Sequence, residues 1–236
     1  MLKRLLIEAL ACGIGVATVL PVQAQVAPSA EQVQRYSGLL AAAQSGDSAL
    51  IKALLAKKAP LDVRDAQQRT PLHVATYARQ REAIRQLATA GADLNAFDFQ
   101  RYDPVTIAAV ANDEQTLALL LQLGASARNV TSPYQGTALI AAAHLGHVGV
   151  VRQLIAASAP LDHVNNLHWT ALIEAVVLGD GGRNHTEVVR LLIAAGANTA
   201  LGDRDGNAPL KLAQARGYKE MERLLKTHPD GKDSSR

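Results

Sequence analysis

Thr70-Pro71-Leu72-His73-Val74-Ala75 opens one unit of a pattern that returns along most of this chain. Equivalent starts are Ser37, Thr70, Asp103, Thr137, Thr170 and Ala208, at intervals of 33, 33, 34, 33 and 38 residues. Each unit runs apolar through a short helical segment, breaks at or near a glycine, and resumes with paired aliphatics. Leu50-Ile51 with Leu54-Leu55, Val150-Val151 with Leu154-Ile155, and Val188-Val189 with Leu192-Ile193 are such pairs. A Gly-Ala stop follows, as in Gly91-Ala92-Asp93-Leu94-Asn95 and Gly196-Ala197-Asn198. One unit cannot bury its apolar face alone, so the fixed period predicts stacked units that share a continuous core.

Helix starts are legible. Ser37, Thr70, Asp103, Thr137 and Thr170 each offer a side-chain oxygen to the unpaired amides of a first turn. Pro71, Pro104 and Pro209 come next, where a missing amide costs nothing. Ala208 has no such oxygen, which predicts that Asn207 caps one residue early. Ser29-Ala30-Glu31-Gln32 resembles a capping box and predicts that the first helix starts before Ser37 and replaces the missing upstream neighbour. At the other end, Met221-Glu222 and Leu225-Lys226 put a polar residue where earlier units have a second aliphatic. That face is expected to meet water, with Glu222 and Lys226 paired one helical turn apart.

The repeat resembles that of the ankyrin family, over about four-fifths of the chain. The resemblance implies an all-α solenoid of six helix-turn-helix repeats with short β-turn fingers. Residues 37–227 hold the repeats, residues 25–36 form an N-terminal capping extension, and residues 228–236 are expected to be a flexible tail. It also implies protein partners, held along the concave side. The stretch from Asn165 through Trp169-Thr170-Ala171-Leu172-Ile173-Glu174 to Gly181-Gly182 is similar to one in bacterial ankyrin proteins that are often exported.

Composition narrows the function. Hydrophobic residues make up 48% of the 236 positions but aromatics only 3%, a core of Ala, Leu and Val suited to closely stacked helices. The formal charge is +3, and no basic run is longer than Lys57-Lys58, so the phosphate-neutralising stripe of a nucleic-acid binder is missing. Lys3 and Arg4 precede an apolar stretch from Leu5 to Leu20, and Val22 and Ala24 match a secretory cleavage pattern. Residues 1–24 are therefore read as a signal peptide cut after Ala24, which predicts a periplasmic protein, monomeric and without a membrane segment in its mature form. An uncleaved anchor is the lesser reading, since a span needs about 20 apolar residues. The single cysteine, Cys12, lies in that leader, which leaves the mature chain no thiol for disulfides, nucleophilic attack or metal binding.

The resemblance places three residues of each finger in solvent: the one before the helix cap and those three and four before it. The chain has eight aromatics, and Phe99, Tyr102, Tyr134 and Trp169 fall in these slots in three consecutive fingers. With Arg69, Tyr77, Arg101, Leu167, His168 and Glu174 they form the candidate contact surface, and Val110, His144 and Val177 continue its apolar floor. Exposed rings are what binding hot spots use, though the same rings could pack finger on finger. Two before the cap the family has glycine, whereas this chain has Gln68, Arg101, Gln135 and His168, with only Gly206 keeping the pattern. Either those turns hold a positive φ, at up to about 1 kcal/mol each, or they have changed shape.

Glu174 stands where other units have Val74, Ile107, Ala141 and Leu212. An acid there needs a partner. The expectation is that it bonds the Gly181-Gly182 backbone or Arg183 and holds the insertion 180–184 that lengthens the fifth unit. The alternative is a grip on a ligand's basic group. A metal or small-ligand enzyme built on Glu174, His168, His185 and the insertion, with His163 as a further ligand, is the competing function. Against it, the sequence has no Gly-x-Ser-x-Gly elbow, no phosphate loop and no second carboxylate close to Glu174. The main expectation is thus a non-catalytic protein without a cofactor or metal that binds an unidentified protein partner. A secreted effector that binds host proteins is a further alternative.

Overall fold

A computed structural model describes residues 25–227 as thirteen α-helices, with no strand among the described residues. A short leading helix, α1 (Ala30–Gln34), is followed by six helical hairpins. These are α2 (Gly38–Ser45) with α3 (Ser48–Ala56), α4 (Pro71–Tyr77) with α5 (Arg81–Thr89), and α6 (Pro104–Val110) with α7 (Glu114–Gln122). Then come α8 (Ala138–His144) with α9 (Val148–Ala156), α10 (Ala171–Val177) with α11 (Arg183–Ala194), and α12 (Pro209–Arg216) with α13 (Lys219–Thr227). First helices stack on first helices and second on second, giving an inner and an outer layer. The inner layer is close-packed because Ala42, Ala43, Ala75, Ala109, Ala142, Ala143 and Ala175 are wholly buried. The aliphatic pairs of the outer helices, such as Ile84 with Leu87 and Val151 with Leu154, complete the core.

Most caps form as expected. Thr70, Asp103, Thr137 and Thr170 each accept a bond from the amide three residues on. Ser37 sits at the cap of α2 without a side-chain bond. Asn207 does not cap α12; Ala208 occupies the cap, and Asn207 Nδ2 instead donates to Asp203 Oδ2 at 3.2 Å. The Ser29–Gln32 capping box is present on α1. Glu222 meets Lys226 at 3.6 Å and Lys219 at 2.9 Å, but it is buried beneath these two lysines rather than open to water. The leader at 1–24 and the tail at 228–236 lie outside the described residues.

Four of the five fingers turn on one acceptor side chain. Oδ1 of Asp65, Asp98, Asn165 and Asp203 accepts from the amides two and four residues on, at 2.8–3.0 Å. The fourth finger carries the extra residue of the 34-residue interval, and closes through a bridge between Thr131 and Gly136 instead. Adjacent fingers are tied together: the Phe99 amide donates to Gln67 O, Ser132 to Arg101 O, and Asn166 to Tyr134 O, at 2.9–3.2 Å. The turns keep their left-handed residue, with φ of 59° at Gln68, 63° at Arg101, 54° at Gln135, 64° at His168 and 72° at Gly206. Only glycine adopts that conformation freely. At Arg101 the strain is offset by stacking, with the guanidinium 4.8 Å from the centre of the Phe97 ring.

Candidate protein-binding face

Because the fingers are bonded in series, their tips form one continuous edge beside the inner layer. Phe99 is 73% exposed and Leu167 39%, while Tyr134 and Trp169 are half-buried. Arg101 and His168 are exposed between them. Tyr77, Val110, His144 and Val177 are half-buried along the floor. Of the ten predicted contact residues, seven are at least partly open along this edge and three are not.

Arg69, Tyr102 and Glu174 are buried. For the first two the reason is positional. The slot one before the cap is where finger passes into helix, so its side chain is at least partly covered: Arg69 and Tyr102 are buried and Trp169 is half-buried. Slots three and four before the cap make the tip. Arg69 is a tie rather than a contact residue: Nε donates to Asp65 Oδ2 at 2.7 Å, Nη2 to Gln32 Oε1 at 2.9 Å, and Nη1 to Val26 O at 3.3 Å. Tyr36 donates its hydroxyl to the same Asp65 oxygen at 2.7 Å. Burial would raise the Asp65 carboxyl, but the bonds from Tyr36 and Arg69 hold it below the usual carboxylate range. Asp65, four residues before Arg69, is the sequence signal of this tie.

Sequence reasoning missed a cleft at the N-terminal end of the same edge. A cavity of about 580 Å³ lies between α1 and the second and third fingers, lined by Val26, Glu31, Gln32, Arg69, Asp98 and Phe99 among others. Burial pushes the Asp98 carboxyl up despite bonds from the Gln100 and Tyr102 amides. Tyr77 carries a buried hydroxyl with no hydrogen bond, and its ring is 6.0 Å from the Arg69 guanidinium carbon.

Glu174 does not hold the insertion. Its Oε1 accepts from Asn165 Nδ2 at 3.0 Å, and its Oε2 lies 3.5 Å from His144 Nδ1 with no hydrogen bond. Burial, against the bond from Asn165, pushes the carboxyl up to about 7. Burial and the neighbouring His185 and His147 lower the His144 imidazole. Arg183 and Asn184, expected in the inserted loop, are instead an extra first turn of α11. Asp180 holds the loop: its Oδ1 accepts from the Gly182 amide at 2.8 Å and lies 2.9 Å from His185 Nδ1. His185 Nε2 is 2.9 Å from His144 O, so the loop is fastened to the end of α8. Gly181 has φ of 70° and abuts the Tyr218 ring, leaving no space for a side chain.

Histidines expected as alternative metal ligands are dispersed. His163 Nε2 lies 2.6 Å from Gln135 O, His168 is exposed at a finger turn, and His185 is engaged by Asp180. Among the described residues no group of three or more His, Cys, Asp or Glu side chains could hold a metal ion. Among the described residues, too, no helix is long and apolar enough to cross a membrane.

Two family models match the chain. One for ankyrin repeats in three copies covers residues 6–98 and 105–181, beginning inside the stretch read as a leader. One for a single ankyrin repeat covers residues 167–204. The chain is 34% identical to the ankyrin repeat protein YahD of Escherichia coli (strain K12), over 79% of this chain and 92% of that protein. It is similar to a crystal structure of an ankyrin repeat domain from Acinetobacter baumannii AYE, with 46% identity, a TM-score of 0.77, and coverage of 81% and 97% of the two chains. A crystal structure of the human ASB11 ankyrin repeat domain matches at 22% identity and a TM-score of 0.66, over 85% of this chain and 86% of that one, a likeness of fold alone.

Proposed function

We propose that this chain, which belongs to the ankyrin-repeat family and is an interaction scaffold by that membership, is a non-catalytic periplasmic protein holding one protein partner along its finger edge. One observation carries the reading. Phe99, Tyr134 and Leu167 stand at the tips of three consecutive, mutually bonded fingers, and Phe99 and Leu167 are exposed there without contributing to the core. Large apolar side chains in water along this edge are what a partner's surface would cover. Trp169 adds area beside them, and Arg101 and His168 supply the polar rim. Arg69 and Tyr102 are buried and left out of the contact set, and Glu174, also buried, is not part of the surface as it stands in the free protein. Export is supported by Lys3 and Arg4 before an apolar run that ends at Val22-Gln23-Ala24.

The test has two arms. Cell fractionation with amino-terminal sequencing of the purified protein is expected to find it in periplasm, starting at Gln25; a cytoplasmic protein starting at Met1 would remove the export claim. Quantitative affinity capture is then run with the native chain and with Phe99→Ser combined with Leu167→Ser. The partner is expected to be captured by the first and lost from the second while helical circular dichroism is unchanged. Equal capture by both would end the claim for this edge.

A further inference from the structure

We infer that Glu174 is the seat for a basic side chain, lysine or arginine, that the partner protein inserts beside the fifth finger. The inference rests on the finger edge being the partner's binding surface, and it names what one residue of that partner must be. Glu174 is 4% exposed at a position that is apolar in the other repeats, as at Val74 and Ile107. One carboxylate oxygen is held by Asn165, and the other is buried without a hydrogen bond. An ionised oxygen in that state is costly unless a cation or strong donor meets it. The cost is visible in the carboxyl itself, which burial pushes up to about 7.

The one hydrogen bond this acid makes, from Asn165 to Oε1, asks for an acceptor and not for a charge. The insertion is fastened by Asp180 and His185, and the finger turn by Asn165, whose Oδ1 accepts from the Leu167 and Trp169 amides at 3.0 Å each. What the acid does have is a location. Asn165 joins it directly to the root of the finger that presents Leu167 and Trp169. On the Oε2 side lies the His144 ring, 37% exposed and 3.5 Å away without a hydrogen bond. The His144 backbone is held by His185 at 2.9 Å, which fixes the end of α8 beside the acid. A guest cation entering past that ring replaces a poor contact by a charge-assisted one. A metal ion fits the site less well: the described residues gather no cluster of three or more metal-ligating side chains, and one carboxylate balances one organic cation.

The chain has a single tryptophan, so its indole N–H reports on this finger without ambiguity. The full-length purified protein, labelled with nitrogen-15, is titrated at pH 8 with N-acetyl-arginine amide and N-acetyl-lysine amide, and with N-acetyl-citrulline amide as the neutral isostere. The Trp169 indole resonance is expected to shift saturably with the basic probes and not with citrulline. Glu174→Gln is expected to weaken that binding at least tenfold with the rest of the spectrum intact. No saturable shift, an equal response to citrulline, or unchanged binding in Glu174→Gln would each overturn the inference. Capture through Phe99 and Leu167 that persists while the basic probes fail would sink the cation seat and leave the finger-edge function standing.

Discussion

Replacing Glu174 by glutamine should make the protein more stable above neutral pH. Folding carries the carboxyl from its ordinary 4.5 up to about 7 through burial. An acid with a raised folded pKa binds its proton more tightly in the native state, so its contribution to stability is complete below the unfolded value and is lost as pH rises through the folded one. A difference of roughly 2.5 units at 1.36 kcal/mol each is about 3 kcal/mol, all of it lost by pH 8. Glutamine keeps the carbonyl acceptor for Asn165 Nδ2 and places an amide donor, rather than an anion, 3.5 Å from His144 Nδ1. The measurement is urea unfolding of both proteins at pH 4, 6 and 8. Equal stability is expected at pH 4 and a gain of about 3 kcal/mol for the variant at pH 8, or roughly 6–12 °C in melting temperature for an array of this size. The difference between the two proteins matters more than either curve, because His73 works in the opposite direction over part of the range. A variant less stable than the native chain at pH 8, or a gain that does not depend on pH, would refute the reasoning.

Other consequences follow from the same geometry. With Glu174→Gln as background, stability should fall by about 3 kcal/mol between pH 7 and pH 4, because burial lowers the His73 imidazole from 6.5 to about 4 and its neutral form is the one that fits; a flat profile in that variant would contradict it. Arg69→Met should cost about 3 kcal/mol in urea unfolding, since Asp65 stays buried without its guanidinium, and should speed hydrogen exchange in residues 25–36. A loss under about 1 kcal/mol would return Arg69 to the surface role first assigned to it. Gln68→Gly should gain up to about 1 kcal/mol by relieving a φ of 59°, and Arg101→Gly should gain less because it also removes the stack on Phe97.

The architecture was legible because it depends on periodicity, which stacking enforces at every repeat. Thr70, Asp103, Thr137 and Thr170 cap as their residue types dictate. The face was legible only in part. Finger slots three and four before the cap come out exposed at Phe99 and Leu167, whereas the slot one before it is covered at Arg69 and Tyr102 and half-covered at Trp169. Spacing along the chain places a residue on a finger but does not say whether the next element closes over it. For Arg69 that element is the leading segment at Val26 and Gln32, about 40 residues upstream, which no local pattern could place. Glu174 illustrates the same limit. Its neighbour in the sequence pattern was the insertion, yet the side chain turns to Asn165 and to His144 of the preceding repeat. The positive φ at Gln68, Arg101, Gln135 and His168 settles the choice left open between strained and altered turns, in favour of strain.

The claim that most depends on measurement is that the finger edge, and no other surface, meets the partner. A photo-crosslinking amino acid is placed in turn at Phe99 and Leu167 on that edge, and at Lys52 on the exposed side of α3 in the outer layer. Irradiation of intact cells should yield one and the same covalent protein adduct from the first two positions and none from Lys52. An adduct formed at Lys52, with none at Phe99 or Leu167, would contradict the account.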